Sequence, residues 1–306
     1  MNRKIPKKPK DNCPLNVNYS IVLGCPRSGT TFLIRGLEAL PNSECISGSH
    51  LPVSIPHIIN FPLTEPLKQV LAFGFEHSLL NYLNSATNSQ WLVLYKWLKG
   101  STHINELIQA IQRRRKVERL IYKEPFLGFS PEFTYESLPN CRIIHIYRDG
   151  RDCANSLVRS YNILTDEKLK DLRTAEMPLG RPYDHRYVPW WVEEGREEEF
   201  IACTPYVRAI WMWKEIVRRC HDFFSRPEII ASDRVLWLKY EDFVNEPLKY
   251  GEIVVKFLGC TMNNRLQKKL KQASNRSIGS YQRRDPREVE AAEKIAKVEL
   301  ELYEYL

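Results

Sequence analysis

The order of apolar and polar residues along the chain predicts alternating strands and helices. Short apolar runs bounded by polar residues are typical of buried strands, and apolar residues three or four positions apart are typical of helices. The predicted strands are Ser20–Leu23, Arg119–Pro125, Cys141–Asp149 and Arg234–Asp242. The predicted helices are Gly29–Leu40, a less regular stretch from Pro66 to Glu118, Ser130–Leu138, Gly150–Ile163 and Pro205–Phe224, with more helices after the fourth strand. The pattern therefore predicts an α/β fold, with a parallel sheet flanked by helices.

Three of the four predicted strands end in charged residues. Lys123 lies near the end of the second strand, Arg148 near the end of the third, and Tyr240 begins a Tyr-Glu-Asp group that ends the fourth. The carboxyl ends of parallel strands meet at one edge of the sheet, where α/β proteins bind ligands. Arg148 could instead be a solvated charge, and Lys123 could pair with Glu124, although neighbours on a strand point to opposite faces. The arrangement favours a ligand site at this edge.

Charge and composition narrow the classes of function. The chain has 306 residues and a net charge of +8, and five of its basic residues lie in the first ten positions. We expect residues 1–17 to be a disordered basic head and residues 18–306 to form a single domain. The small remaining positive charge suits a pocket for an anionic ligand better than a nucleic-acid surface.

The same composition predicts the cellular compartment of the protein. No run of 18 apolar residues and no signal-peptide pattern occurs, which predicts a soluble, cytoplasmic protein with no membrane span. The eight cysteines include no CxxC pair, which argues against a zinc site or a disulfide framework and favours a reducing compartment.

The sequence "SIVLGCPRSGTTFL" has the outline of a phosphate-binding loop. Gly24 and Gly29 allow the backbone to approach an anion, and the amides of Ser28, Gly29, Thr30 and Thr31 are expected to point towards it from a helix N-terminus. The Lys-Ser/Thr pair of nucleoside triphosphatases is absent, and Arg27 supplies a cation that can hold two oxygens. The short glycine pattern alone is equally compatible with a tight turn.

The longer motif "GCPRSGTTFL" resembles the 5′-phosphosulfate-binding motif of sulfotransferases that use 3′-phosphoadenosine 5′-phosphosulfate (PAPS). "YRDGRDCANS" is similar to the 3′-phosphate-binding motif of that family, "IYKEPF" to the K-x-P segment of its Golgi and bacterial branches, which include the protein-tyrosine sulfotransferases, and "LKYEDFVNEP" to a late motif. "RSIGSYQRR" resembles a further element, but Ser280 stands where Arg is usual and Tyr281 where Trp is usual.

The resemblance implies a P-loop-like sulfotransferase fold and a role for each matched residue. Arg27, Ser28, Gly29, Thr30 and Thr31 would bind the 5′ end of PAPS. The 3′-phosphate would be bound by Arg148 and Ser156, with Tyr240 also at the donor site. Lys123 would meet the bridging oxygen and, with Arg27, would stabilise the leaving phosphate without a metal ion, because the transferred group carries less charge than a phosphoryl group.

The general base and the acceptor are less well determined by the sequence. His50 lies close to the position of the glutamate base of related protein-tyrosine sulfotransferases and is our candidate, with Glu44 and His185 in reserve. Residues 165–200 hold Tyr183, Tyr187, Trp190 and Trp191, which predict a packed acceptor-binding lid. We expect a small-molecule acceptor of a secondary metabolic pathway. A tyrosine or carbohydrate acceptor, a P-loop kinase and an inactive binding module stay open as alternatives.

Overall fold

The computed structural model describes residues 17–47, 55–60, 63–88, 90–112, 117–138, 140–174 and 177–306. Its centre is a parallel sheet with the strand order β2-β3-β1-β4-β7, and a separate antiparallel pair is formed by β5 and β6. The strands are β1 (Asn18–Leu23), β2 (Ser43–Ser47), β3 (Arg119–Lys123), β4 (Arg142–Tyr147), β5 (Gly180–Tyr183), β6 (Arg186–Pro189) and β7 (Val235–Lys239).

Helices fill the connections and cover the sheet. Between β1 and β3 the helices are α1 (Thr30–Leu37), α2 (Ile55–Ile58), α3 (Glu65–Asn88), α4 (Gln90–Leu98) and α5 (Ile104–Ile111). Between β3 and β7 they are α6 (Pro131–Ser137), α7 (Gly150–Tyr161), α8 (Asp166–Leu169), α9 (Glu197–Ala202), α10 (Pro205–Phe224) and α11 (Pro227–Ile230), with a 3₁₀ turn at Pro125–Phe129. After β7 come α12 (Tyr240–Asn245), α13 (Pro247–Phe257), α14 (Asn264–Leu270), a 3₁₀ turn at Ser280–Arg283, α15 (Pro286–Ile295) and α16 (Lys297–Leu302).

Alternate residues of β1 enter two different cores. Ile21 and Leu23 pack with the α10 side of the sheet, whereas Val22 packs with Leu33 and Ile34 of α1. All five side chains are at most 1% exposed, and burying each contributes about 1.5–3 kcal/mol. Because both faces are covered, the central strands are apolar throughout, and the predicted α/β class with a parallel sheet flanked by helices is confirmed.

Two strand predictions need correction. The segment 43–47 was not predicted as a strand, but it forms β2 at the edge of the sheet. Its Glu44 is fully buried and paired with Lys96 of α4, so a charge occupies a position where an apolar residue would have signalled a strand. The fourth predicted strand ends at Lys239 rather than at Asp242, and Tyr240 already begins α12.

Residues 165–200 are more regular than the sequence indicated. They contain α8, the hairpin of β5 and β6, and the start of α9, while residues 175 and 176 lie outside the described part. Arg208 of α10 is 2% exposed and donates to the carbonyl oxygens of Leu164 and Phe200, at either end of the segment. Both ends of the predicted lid are therefore fixed to the buried helix α10.

Candidate active site

Two glycines shape the loop between β1 and α1. Gly24 has a φ of +148°, and a Cβ there would lie 2.0 Å from the carbonyl oxygen of Ile146 on β4. Gly29 has a φ of +97°, and a Cβ there would lie 2.4 Å from the ring of Tyr240 on α12. Both distances are too short for any side chain, so glycine at these two positions allows the loop to pass close to β4 and α12.

Arg27 joins this loop to α7. Its Nε donates to Oγ of Ser156 at 2.9 Å, and its Nη1 donates to the hydroxyl of Tyr161 at 3.4 Å. The backbone of Arg27 has a φ of +76°, an unfavourable value for a non-glycine residue that is found more often at ligand-binding sites. The cation assigned to one end of the donor therefore contacts the serine assigned to the other end.

The start of α1 provides a polar, partly buried surface. The amide of Ser28 donates to the carbonyl oxygen of Cys25 at 3.0 Å, which corrects the expectation that this amide faces an anion, because it closes the turn instead. The Ser28 hydroxyl is buried, and no described residue hydrogen-bonds it. Thr30 and Thr31 begin α1, and amides of the first turn have no acceptor within their helix. These groups favour an anion at the helix N-terminus.

Arg148 lies just after β4 and is only 4% exposed. It donates to the carbonyl oxygens of Arg27 at 3.2 Å and Ser277 at 2.6 Å, and it lies 3.4 Å from the carboxylate of Asp152. Its guanidinium stacks 4.6 Å from the centre of the Tyr240 ring. Its Nε is buried, and among the described residues it has no hydrogen-bond partner. Arg148 thus contacts the loop after β1, the segment at Ser277 and helix α7. Its Nε is free to donate to a further acceptor, such as a ligand oxygen, among the groups that the structure describes.

Asp152 holds the loop of residues 277–281 against α7. Its carboxylate accepts from the amides of Gly279 at 2.8 Å and Tyr281 at 3.1 Å, and from the hydroxyl of Ser280 at 2.8 Å. The two positions that depart from the family pattern, Ser280 and Tyr281, are therefore both used in this contact. The sequence analysis missed Asp152, although its place four residues after Arg148 on a predicted helix was a usable signal.

Lys123 is the last residue of β3, and in register it lies between Val22 of β1 and Ser47 of β2. It is half-buried, and burial lowers its pKa, while Glu124 opposes that shift. Among the described residues no hydrogen bond or ion pair joins Lys123. The Glu124 carboxylate accepts from the amide of Phe126 at 3.1 Å instead, so the two neighbours do not pair. The ammonium group of Lys123 is thus available at the carboxyl edge.

The three candidates for the base differ in position. His50 lies outside the described residues. Glu44 is buried and paired with Lys96, and it lies beside Leu120 near the amino end of the strands, which argues against a role at the opposite edge. His185 lies at the tip of the β5–β6 hairpin with its side chain 95% exposed, 3.5 Å from Asp184, and nothing there excludes water. The geometry therefore favours neither reserve candidate.

An aromatic cluster forms where residues 165–200 meet α2 and the 3₁₀ turn that follows β3. Trp190 Nε1 donates to Nδ1 of His57 at 3.0 Å, and the His57 ring lies 5.3 Å from that of Phe126. Phe129 packs against Trp190 and Trp191 at 4.8 and 5.4 Å between ring centres. Burial lowers the pKa of His57 to about 4, so this ring is neutral at pH 7. The sequence analysis missed His57, because a single histidine in an apolar helix carries no signal of spacing.

No group of three or more His, Cys, Asp or Glu side chains in the described part of the chain is arranged to hold a metal ion. No helix in that part is both long enough and apolar enough to cross a membrane.

Known proteins resemble this chain to different degrees. Protein-tyrosine sulfotransferase A of Caenorhabditis elegans is 27% identical over 161 residues, which are 51% of this chain and 37% of that protein, so the chain covers well under half of that relative. The sulfotransferase domain of the Synechococcus PCC 7002 olefin synthase is 17% identical with a TM-score of 0.45, covering 94% of this chain and 98% of that one. Sulfotransferase STF9 of Mycobacterium avium is 14% identical with a TM-score of 0.47, covering 94% of this chain and 76% of that one. Residues 21–264 match the profile described as the Sulfotransferase family, and because this is most of the chain, the protein belongs to that family.

Proposed function

We propose that the protein transfers a sulfuryl group from PAPS to a hydroxyl or amine of a small-molecule acceptor. The observation that carries the proposal is the meeting of three strand ends: the loop with Arg27 after β1, Lys123 at the end of β3, and Arg148 after β4. Positive groups on three neighbouring strands suit a ligand with phosphate groups at both ends of its ribose.

The described residues fit such a donor. The Ser28 hydroxyl and the Arg148 Nε are buried donors that no described residue uses, and buried donors of this kind are normally paired. We assign Ser28, Gly29, Thr30 and Thr31 to the 5′ end of the donor, and Arg148, Ser156 and Tyr240 to the 3′ end. Arg27 contacts Ser156 and adjoins both groups.

In the proposed reaction PAPS supplies the sulfuryl group. The acceptor oxygen or nitrogen forms a bond to sulfur as the bond from sulfur to the phosphate oxygen breaks, and a base takes the acceptor proton. Lys123 and Arg27 stabilise the charge that develops on the leaving phosphate, so fixed cations take the role that a metal ion has in kinases. We keep His50 as the proposed base, since an imidazole with an ordinary pKa is suited to accept this proton.

Donor binding provides the first test. We expect PAPS and its desulfated product to raise the melting temperature, because a ligand at a hundredfold over Kd contributes about 2.7 kcal/mol to stability. ATP with Mg²⁺ should raise it much less. A larger, Mg²⁺-dependent effect of ATP would show a kinase or nucleotidase instead.

The acceptor requires a separate experiment. Metabolite extracts are incubated with ³⁵S-labelled PAPS, and the labelled products are identified by mass spectrometry. Label in small molecules supports the proposal, whereas label only in protein tyrosines or in carbohydrate would move the acceptor class to those alternatives. Donor binding without transfer to any of them would indicate a binding module.

A further inference from the structure

A groove of about 850 Å³ lies between α3, α6 and the end of α10. Small-molecule sites usually have volumes of about 300–1,000 Å³, so the groove is large enough to hold a ligand. Its lining combines apolar side chains, among them Leu63, Ala72 and Phe133, with charged side chains from all three helices. We name this groove the side groove.

The side groove begins beside the candidate active site. Phe129 and Arg219 belong to its lining, and Arg219 donates to the carbonyl oxygen of Phe129 at 3.1 Å. The guanidinium of Arg219 also lies 5.4 Å from the centre of the Trp190 ring, which belongs to the aromatic cluster. On Gly128, the residue before Phe129, a Cβ would lie 3.8 Å from the backbone nitrogen of Gly24, where the loop after β1 begins. A ligand in the side groove would therefore lie next to both the proposed donor loop and the aromatic cluster.

The charged side chains of the side groove do not balance. Each of its three basic side chains lies close to a carboxylate, and the pairs are Lys68 with Glu65 at 2.7 Å, Arg226 with Glu132 at 3.8 Å and Arg219 with Glu215 at 2.6 Å.

Two further carboxylates of the lining, Glu136 and Asp222, have no lysine or arginine within 4.0 Å in the described part of the chain. Asp222 lies 3.9 Å from His221, which is charged only when it is protonated. Burial and the like charge of Glu132 raise the pKa of Glu136, a shift that a nearby ligand cation would oppose. The side groove therefore has two carboxylates that no described lysine or arginine pairs.

Two serines of the lining also have unused hydrogen-bonding groups. Ser130 and Ser137 are each 8% exposed, and no described residue hydrogen-bonds either hydroxyl. Buried hydroxyls are normally paired, and a hydroxyl can either donate or accept a hydrogen bond. A polar group of a ligand in the side groove would supply the missing partner.

The lining indicates the chemical class of this ligand. An anion would be repelled by Glu136 and Asp222, and a neutral ligand would take water away from both carboxylates without supplying an opposite charge. A molecule with an apolar body and a protonated amine fits both parts of the lining, because its body can pack on Leu63, Ala72 and Phe133 while its ammonium group pairs with the carboxylates.

We propose that the side groove binds an organic amine, and that this amine is the far end of the acceptor whose hydroxyl receives the sulfuryl group. The assignment to the acceptor rests on the proposed function, whereas the binding of an amine does not. Lys123 precedes the 3₁₀ turn of Pro125–Phe129, which spans about 10 Å at about 2 Å per residue. The hydroxyl and the amine of such an acceptor would lie about that far apart or farther.

Calorimetric titration of the full chain with octylamine, octanol and octanoate tests amine binding without any transfer. These probes have similar apolar chains and differ in the charge of the head group. We expect octylamine to bind about fivefold tighter than octanol, and octanoate to bind weakest. Glu136→Gln with Asp222→Asn should lower the affinity for octylamine to that for octanol. The matched control is Glu252→Gln with Glu290→Gln, which changes two exposed carboxylates on α13 and α15 and should bind as the wild type does.

A second variant changes the apolar part of the lining. Ala72→Phe places a ring in the side groove, so it should weaken octylamine and octanol by the same factor, about tenfold. Thermal unfolding checks that each variant is folded. Equal affinities for the three probes, or equal losses in the carboxylate variant and its control, would overturn the amine site.

The labelled products of the ³⁵S-PAPS screen test the assignment to the acceptor. We expect these products to carry an amine, and Ala72→Phe to raise the acceptor KM about tenfold while the donor Kd stays unchanged. Labelled products without an amine would overturn the assignment to the acceptor. Absence of any labelled product would overturn the proposed function and this assignment with it, whereas the titration would still decide whether the side groove binds an amine.

Discussion

The proposed donor side and the proposed acceptor side of the candidate active site are stabilised by different kinds of contact. The donor side comprises residues 24–31, Arg148, Asp152, Ser156, Tyr240 and the loop 277–281. There, buried or partly buried charged groups bind backbone atoms from distant parts of the chain, as Arg148 does with Arg27 and Ser277. The acceptor side comprises α2 and residues 165–200. Around Trp190 and His57, ring contacts dominate beside one hydrogen bond between the two. Charged groups act at the ends of the segment, where the buried Arg208 donates to backbone carbonyl oxygens.

The difference follows from what each side has to bind. Hydrogen bonds to charged groups depend strongly on distance and angle, so they suit a ligand whose charged groups never change. Ring contacts depend less on exact distance and angle, so they suit a pocket that binds an apolar part of a ligand. In this protein we therefore expect substitutions on the proposed donor side to abolish donor binding or turnover, and substitutions on the proposed acceptor side to change them less.

Lys123→Ala should produce the largest effect on the donor side. Its ammonium meets charge that develops only during transfer, so we expect kcat to fall by about 10²- to 10³-fold with donor Kd nearly unchanged. Steady-state kinetics and equilibrium titration with the desulfated donor measure the two quantities. Lys239→Ala is the matched control, because Lys239 also ends a strand at this edge but lies 4.8 Å from the Tyr305 ring. Equal losses in both variants would contradict the assignment.

His50→Ala tests the role of base that we propose for a residue outside the described part of the chain. If His50 takes the acceptor proton, kcat should fall at least about 100-fold, with donor affinity unchanged. The wild-type profile of kcat/KM should rise with an apparent pKa of about 6.5, because the neutral ring is active, and that limb should vanish in the variant. Near-normal turnover in His50→Ala would mean that another base takes the acceptor proton.

Arg148→Ala should separate binding from catalysis. Loss of a charge-assisted hydrogen bond costs about 1.5–3 kcal/mol, so we expect donor Kd to rise roughly 10- to 100-fold. Stability should also fall, by about 3 kcal/mol, because the fully buried Asp152 loses its cation. Calorimetric titration and urea denaturation measure these changes, and Arg159→Ala on the exposed side of α7 is the control. Normal donor affinity in Arg148→Ala would exclude it from the donor side.

Gly29→Ala and Gly195→Ala compare backbone strain with steric exclusion. Both glycines have positive φ, +97° and +83°, but only at Gly29 would a Cβ meet another residue, the Tyr240 ring. We therefore expect Gly29→Ala to destabilise the protein by about 1–3 kcal/mol more than Gly195→Ala and to weaken donor binding as well. Thermal unfolding with and without donor measures both effects. Similar losses in the two variants would mean that strain alone decides them.

The last prediction concerns the pH dependence of stability at His57, on the proposed acceptor side. Burial lowers its pKa from 6.5 to about 4, so the unfolded chain binds its proton first. The contribution of His57 to the free energy of unfolding should therefore decrease as pH falls from 6.5 towards 4, by about 3 kcal/mol in total. His57→Phe should reduce this slope without removing it, because burial also lowers the pKa of His145, to about 3. An unchanged slope in the variant would contradict the assignment.

The sequence predicted the donor side better than the acceptor side, for a physical reason. Apolar runs, glycines and charges at strand ends leave local signals. These signals predicted that Gly29 precedes a helix and that Lys123 and Arg148 lie at strand ends, as the structure has them. The contact of Trp190 with His57 joins residues 133 positions apart and depends on packing, which no local pattern records. The strand β2 was missed for a related reason. Its buried Glu44 pairs with Lys96 of α4, which lies 52 residues later in the sequence.

The contacts of Arg148 and Asp152 with the loop 277–281 have a consequence for the order in which the protein folds during synthesis. Arg148 and Ser277 are 129 residues apart, so the proposed donor side depends on a contact between distant parts of the chain. Contacts of such separation form late in folding, because ordering the intervening chain costs entropy before the contact contributes any stability. During synthesis the loop that holds Arg27 leaves the ribosome well before its partner at residue 277. A nascent chain therefore carries an incomplete form of the proposed donor site until residue 277 has been added, and we expect PAPS to bind only after that point.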